Sequence, residues 1–190
     1  MNNMEYEIHI TIENNDNFIN TCKEIGIKPI IIVVDEKNEM SNQVMTSSKH
    51  SGKYWKEVLN TLSKRLITNN QKIIRQKVEI YPQEEKFESH LYYETHIRLK
   101  LKKDYDKTQL LYICKYMKFH ISRNLFKKNN EFDWLMITYR GYNSNLSSFK
   151  SVINTMKGIL DNINIEYDKV EIEECIFDTN ENLDKEWMAK

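Results

Sequence analysis

His9 and His96 are the residues of this 190-residue chain best suited to chemistry, because imidazole gives or takes a proton near neutral pH. Each stands in the same local pattern, Tyr6-Glu7-Ile8-His9-Ile10 and Tyr93-Glu94-Thr95-His96-Ile97. Other segments recur in the same order: "KEVLNTL" from Lys56 returns as "KSVINTM" from Lys150, and "KVEI" at Lys77 returns unchanged at Lys169. The chain therefore reads as two equivalent units, and a pseudo-twofold pair would bring both histidines toward one shared cleft. The alternative is a pair of structural histidines inherited from one ancestral unit, since duplication alone preserves their spacing.

The elements that must position them follow from periodicity. Ile8, Ile10 and Ile12 alternate with Glu7, His9 and Thr11, which makes a strand with one apolar face. Phe18, Ile19, Cys22 and Ile25 recur at helical spacing. Strands "PIIIVV" and "NQVMTSSK" follow, then a helix striped by Trp55, Val58, Leu59, Leu62 and Leu66, then "KIIRQKVEIYP". The second half repeats strand, helix, strand, strand, helix, strand. This order is that of the split βαβ, ferredoxin-like unit, with first and third strands central and both helices on one face. The predicted class is α+β: two such units in tandem, their antiparallel sheets separate, helices on the outer faces and a groove between the sheets. The boundaries are 1–81 for the first repeat, 82–90 for a linker, 91–178 for the second repeat and 179–190 for a tail that extends a strand, covers the groove or hangs loose.

By strand parity the open faces carry Glu7, His9, Thr11, Arg75, Lys77 and Glu79 in the first unit. They carry Glu94, His96, Arg98, Lys169 and Glu171 in the second. Aligning "MTSSK" with "MITYR" adds Ser47 and Lys49 to one and Thr138 and Arg140 to the other. The strand "HISRN" puts His120, Ser122 and Asn124 on one face, either bordering a cleft or blunting an ordinary sheet edge. Trp55 and Phe149 read as matching core residues.

His9-Ile-Thr11 resembles the H-x-T/S element of the two-histidine phosphoesterases, the cyclic phosphodiesterase and RNA-ligase-type superfamily, which are similarly bilobal and duplicated. The resemblance implies His9 and His96 as a general base and acid pair and Thr11 as a phosphate ligand, with no metal or other cofactor. Arg98 stands where the second hydroxyl belongs, and a guanidinium binds phosphate bidentately. A second resemblance is to the triphosphate tunnel metalloenzymes, whose first strand carries E-x-E-x-K and whose tunnel interleaves acids and bases. Glu7 matches the first of those positions, and "EIEE" from Glu171 would supply carboxylates for magnesium. Glu7, His9, Glu94 and His96 converging on a divalent ion is a related possibility.

Composition narrows the classes. Lys plus Arg equals Asp plus Glu at 28 each, so no broad basic field for DNA or RNA exists, and any anion recognition must be local. Single-stranded RNA suits an open ferredoxin-like sheet but lacks the expected aromatics on the central strands. Four glycines form no phosphate loop, which argues against kinases, GTPases and dehydrogenases. Cys22, Cys114 and Cys175 lack metal spacing and read as buried thiols. No apolar run approaches the ~20 residues of a membrane span, and "MNNMEYE" has no secretory pattern, so a cytoplasmic protein is expected. The functional expectation is binding, and hydrolysis as a metal-independent phosphodiesterase, of a small anionic ligand such as a cyclic phosphodiester or nucleotide. Thr11, Arg98, Arg140, Thr138, Lys77 and Lys169 would hold its phosphate. The alternatives are a non-enzymatic ligand- or protein-binding module and a metal-dependent polyphosphate hydrolase.

Overall fold

Alternation drives the first and third strands of each half to bury one face under two helices. The computed structural model describes residues 4–33, 42–83, 87–127 and 129–184. In the first half β1 (Glu5–Ile12), α1 (Phe18–Ile25), β2 (Lys28–Val33), β3 (Gln43–Ser51), α2 (Trp55–Thr68) and β4 (Ile73–Ile80) follow one another. The second half gives β5 (Tyr92–Lys102), α3 (Thr108–Met117), β6 (His120–Asn124), β7 (Phe132–Gly141), α4 (Leu146–Asn162) and β8 (Glu166–Asp178), then a 3-10 helix over Glu181–Asp184. Ile8, Ile10, Ile12, Val78 and Ile80 pack with Phe18, Cys22, Trp55, Leu59 and Leu66 in one core, Leu62 being only partly buried beside them. Ile97, Leu99 and Ile137 pack with Leu110, Cys114, Phe149, Ile153 and Met156 in the other. Cys22, Cys114 and Cys175 are free, buried thiols.

The two halves share their backbone exceptions as well as their elements. The chain leaves α1 through Gly26 and α3 through Lys118, both left-handed, with φ of 67° and 59°. It leaves α2 and α4 through Asn70 and Asn164, also left-handed, at 58° and 56°. Pairing breaks register at Thr11/Ile12 against β4 and at Arg98/Leu99 against β8, again equivalent positions.

Within each half the strand order is β4-β1-β3-β2 and β8-β5-β7-β6, with first and third strands central. The expected pair of separate sheets facing across a groove is not what forms. β2 pairs with β6 through Ile32–Asn124 and Val33–Arg123, and β4 pairs with β8 from Lys77–Asp178 to Ile80–Glu174. All eight strands thereby close into one antiparallel barrel, β1-β3-β2-β6-β7-β5-β8-β4. The physical reason lies at the edges. A free edge leaves a row of unmet backbone N–H and C=O groups, and here each half has two edges that satisfy the other's. The 13-residue β8 is long enough to pair with β5 over its first part and with β4 over its last. "HISRN" is consequently not a blunted edge but an interior barrel strand beside β2, with Ser122 and Asn124 bordering the enclosed cavity. What was expected as a groove is the barrel lumen.

Two of the described linker residues are tied down: the Phe87 backbone N–H donates to Glu174 (2.8 Å), and the His90 ring shares the same carboxylate oxygen. The tail continues the ladder, with Thr179 and Gln76 exchanging two hydrogen bonds, before the 3-10 helix turns across the barrel end. Trp187 lies outside the described residues. Among the described residues no helix is long and apolar enough to cross a membrane.

Candidate functional site

Strand pairing sets the lumen out in rows. His9 stands between Ser47 on β3 and Lys77 on β4, and Ser47 is flanked in turn by Lys28. In the second half His96 stands between Thr138 on β7 and Glu171 on β8, and Thr138 is flanked by His120. Ser47 is thus equivalent to Thr138, and Lys49, opposite Glu7, to Arg140, opposite Glu94. "KVEI" is not equivalent in the two halves: Lys77 faces His9, but Lys169 faces Arg98, two residues from His96 along the ladder. A slip of two residues keeps every side chain on its face, so the copied motif was invisible to parity as a register error.

His9 and His96 line one cavity of about 440 Å³, and a chain of opposite charges runs between them. His9 Nε2 lies 3.1 Å from Glu79; Lys77 Nζ lies 2.7 Å from Glu79 and donates to Glu94 (2.9 Å); His96 Nε2 lies 3.1 Å from the same Glu94 oxygen. Thr138 Oγ1 meets His96 Nδ1 at 2.9 Å. Glu173 adds a further carboxylate 3.5 Å from His96. Burial alone would lower both imidazole pKa values, but the glutamates outweigh it: Glu79 raises His9, and Glu94 with Glu173 raises His96 to about 9. Glu79 is driven the other way, to about 2, because Lys77 and His9 overcome its burial. Glu173 is pushed up to about 7, chiefly by burial and then by the Glu79 charge. His96 is therefore held as an imidazolium cation at neutral pH, which suits a proton donor or an anion contact, and Glu79 biases His9 in the same direction. The neutral imidazole that a general base requires is disfavoured at His96.

The phosphate ligands expected from sequence do not converge as a free set. Arg140 donates from Nε to Glu94 (2.7 Å) and from Nη2 to Asp184 (2.7 Å), and Lys77 is spent on its two glutamates. Thr138 is taken by His96, while Thr11 is buried beside the cavity. Arg98 and Lys169 stand side by side, Arg98 in a bidentate pair with the exposed Asp168 and Lys169 paired with Glu171. Arg98 also lies over the Trp134 ring, 5.0 Å from its centroid. Two lysines that sequence reasoning passed over join them. Lys28 and Lys127 are exposed, line the same cavity, and have no ion-pair partner among the described residues. The Lys127 amine is pushed below its ordinary pKa by partial burial and then by the charges of Arg98, Lys169 and Lys28.

At the opposite end the lumen is closed by the chain itself. Asp184, from the 3-10 helix, accepts from Arg75 (2.6 Å), Arg140 (2.7 Å) and Gln43 (2.9 Å) and is almost fully buried. Arg75 also donates to Asp178 (2.9 Å), whose other oxygen accepts from the Tyr92 hydroxyl (2.6 Å). The Arg140 guanidinium lies 4.2 Å over the Tyr92 ring. Parity had turned Arg75 toward the site, but no periodic signal in the polar tail marked Asp184.

Glu79, His96 and Glu173 each offer an atom within 4.8 Å of the others, so a single cation could touch all three. Of Glu7, His9, Glu94 and His96, expected from sequence to converge on a divalent ion, only His96 belongs to this group, while Glu173 comes from the "EIEE" run expected to serve magnesium. The "EIEE" carboxylates divide, Glu171 and Glu173 turning to the lumen and Glu174 to the linker.

No protein-family model matches the chain, and no curated protein does. Among solved structures it is similar to the small subunit of acetolactate synthase from Thermotoga maritima, at 12% identity, 92% of this chain, 96% of that one and a TM-score of 0.32. It is similar too to a putative glycine cleavage system transcriptional repressor, at 10% identity, 90% and 98% coverage and a TM-score of 0.32. A putative monooxygenase from Lactobacillus acidophilus stands at 12%, 91%, 93% and 0.32. At these scores the likeness carries neither a fold nor a function to this chain.

Proposed function

We propose that the barrel binds a small phosphate-containing anion, admitted through the opening ringed by Lys28, Arg98, Lys127 and Lys169. One observation carries this reading. The deep lumen is balanced, with each cation answered by a carboxylate, whereas at this opening four cations meet two carboxylates, Asp168 and Glu171. Like charges gathered without compensation raise the local concentration of an anion and are relieved when it binds. The cavity behind them is of small-molecule size. Thermal-shift titration with inorganic phosphate and tripolyphosphate at moderate salt tests the proposal. Both should raise the melting temperature, and the double variant Lys28→Ala/Lys127→Ala should lose at least about tenfold in affinity. No shift with either anion would return these lysines to the status of a solvated rim.

A second reading, hydrolysis of a polyphosphate assisted by a divalent cation, is favoured by the closeness of Glu79, His96 and Glu173. These are reasonable oxygen and nitrogen ligands for magnesium, manganese or zinc. Turnover of tripolyphosphate that stops with a chelator and returns with one of these metals would support it. Turnover that persists in the chelator would restore the metal-independent form, and then replacing His96 with Ala should cost roughly 100-fold or more.

A further inference from the structure

The lumen is two-sided in a way the charged network does not explain. Apart from Lys28, Lys49, Lys127, Arg140 and Asp184, its cations and carboxylates come from β1, β4, β5 and β8. The other wall, from β2, β3 and β7, presents Ile30, Ile32, Met45, Trp134 and Met136 to the same cavity. Phosphate alone would leave that wall facing water. Between β2 and β7 runs β6, whose Ser122 hydroxyl and Asn124 side-chain nitrogen have no hydrogen-bond partner among the described residues, although Ser122 is buried.

Ser122, Met136, Arg98 and Lys169 lie side by side across four neighbouring strands, so polar, apolar and cationic contacts follow one another along a single row. Arg98 belongs to both halves of this surface, since it is part of the cationic opening and also covers the Trp134 ring. An alkyl chain would use the apolar wall but leave the hydroxyl and the amide unmet. A flat heteroaromatic ring uses all of it: faces against Trp134 and the methionines, edge toward Ser122 and Asn124. We propose that the ligand of this lumen is a nucleotide, its phosphate at the Arg98–Lys169 opening and its base against the Trp134–Met136 wall. This deepens the anion-binding proposal and rests on it.

Calorimetric titration with three probes of similar charge separates the two claims: inorganic phosphate, nucleoside 5′-monophosphates (adenosine and uridine), and hexyl phosphate. At least one nucleotide should bind about tenfold or more tighter than both other probes, as base stacking on an aromatic side chain allows. The variant Ser122→Ala should reduce that preference severalfold while leaving phosphate affinity within about twofold, and Trp134→Leu, which also removes the ring beneath Arg98, should lower the ratio of nucleotide to phosphate affinity severalfold. Using both guards against a loss of folding at one position. Equal binding of nucleotides and inorganic phosphate would overturn the nucleotide assignment and leave the anion site standing. Tighter binding of hexyl phosphate would overturn it in favour of a lipid-like phosphate, and no binding by any probe would overturn both proposals.

Discussion

Arg75 is withdrawn from water between two carboxylates, and a buried charge in that position is tolerable only while both remain. Converting Asp178 to Asn leaves a guanidinium half-answered and should cost about 3–5 kcal/mol at neutral pH. The pH dependence identifies the cause. Burial works against the Asp178 charge, but Arg75 and Tyr92 outweigh it and hold the carboxyl below its ordinary pKa. Its stabilisation is therefore complete above the unfolded value, about 4, and is lost as pH falls through the lower folded value. Urea unfolding should show the two proteins converging below pH 4; a constant gap down to pH 2.5 would rule the ion pair out as its source. His96 acts on the other side. Raised to about 9, it contributes fully below about pH 6.5 and loses that contribution as pH climbs through 9. The wild-type denaturation midpoint should fall between pH 7 and 9.5, more steeply than that of His96→Gln.

Equivalent elements that solve one problem differently make internal controls. After α1 the left-handed position is Gly26, which has no Cβ to strain, whereas after α3 it is Lys118. A side chain there costs roughly 1–2 kcal/mol, partly offset by the greater freedom of glycine in the unfolded chain. Lys118→Gly should thus stabilise the protein by about 0.5–1 kcal/mol, and the mirror change Gly26→Lys should destabilise it, both measured by chemical denaturation. Strand alternation made the lumen-facing residues of β1 and β5 legible, with Ser47 and Lys49 on β3 equivalent to Thr138 and Arg140 on β7, but not Gln43, Met45, Trp134 and Met136 on the same two strands. Register along β4 and β8 was not legible, because period-two patterns are unchanged by a two-residue slip. Of the helix stripes Phe18, Cys22, Trp55, Leu59 and Leu66 are buried, but Ile19, Val58 and Leu62 are only partly so; Leu66 is the deepest of the second helix, and its replacement by Ala should cost about 2–5 kcal/mol.

Closure is a property of the whole molecule. Nothing in the side-chain pattern of β2 or β6 names its partner, since backbone hydrogen bonding is common to every strand, and this is why two faced sheets and one barrel were not distinguished from sequence. Asp184 was missed for a related reason: its partners come from β3, β4 and β7, and only the closed barrel brings them together. Closure also has a consequence for how the chain is made. The first repeat leaves the ribosome with β2 and β4 as bare edges, and the last strand that covers them is β8, which ends at Asp178. At about 5–20 residues per second, the wait between the completion of β4 and that of β8 is on the order of 5–20 s. Throughout that interval the nascent chain is a template for strand addition by any neighbour. A fragment of residues 1–81 expressed alone should form oligomers on size-exclusion chromatography, and co-expression with residues 82–190 should recover a discrete heterodimer. A monomeric first fragment would mean that the half-barrel curls to protect its own edges.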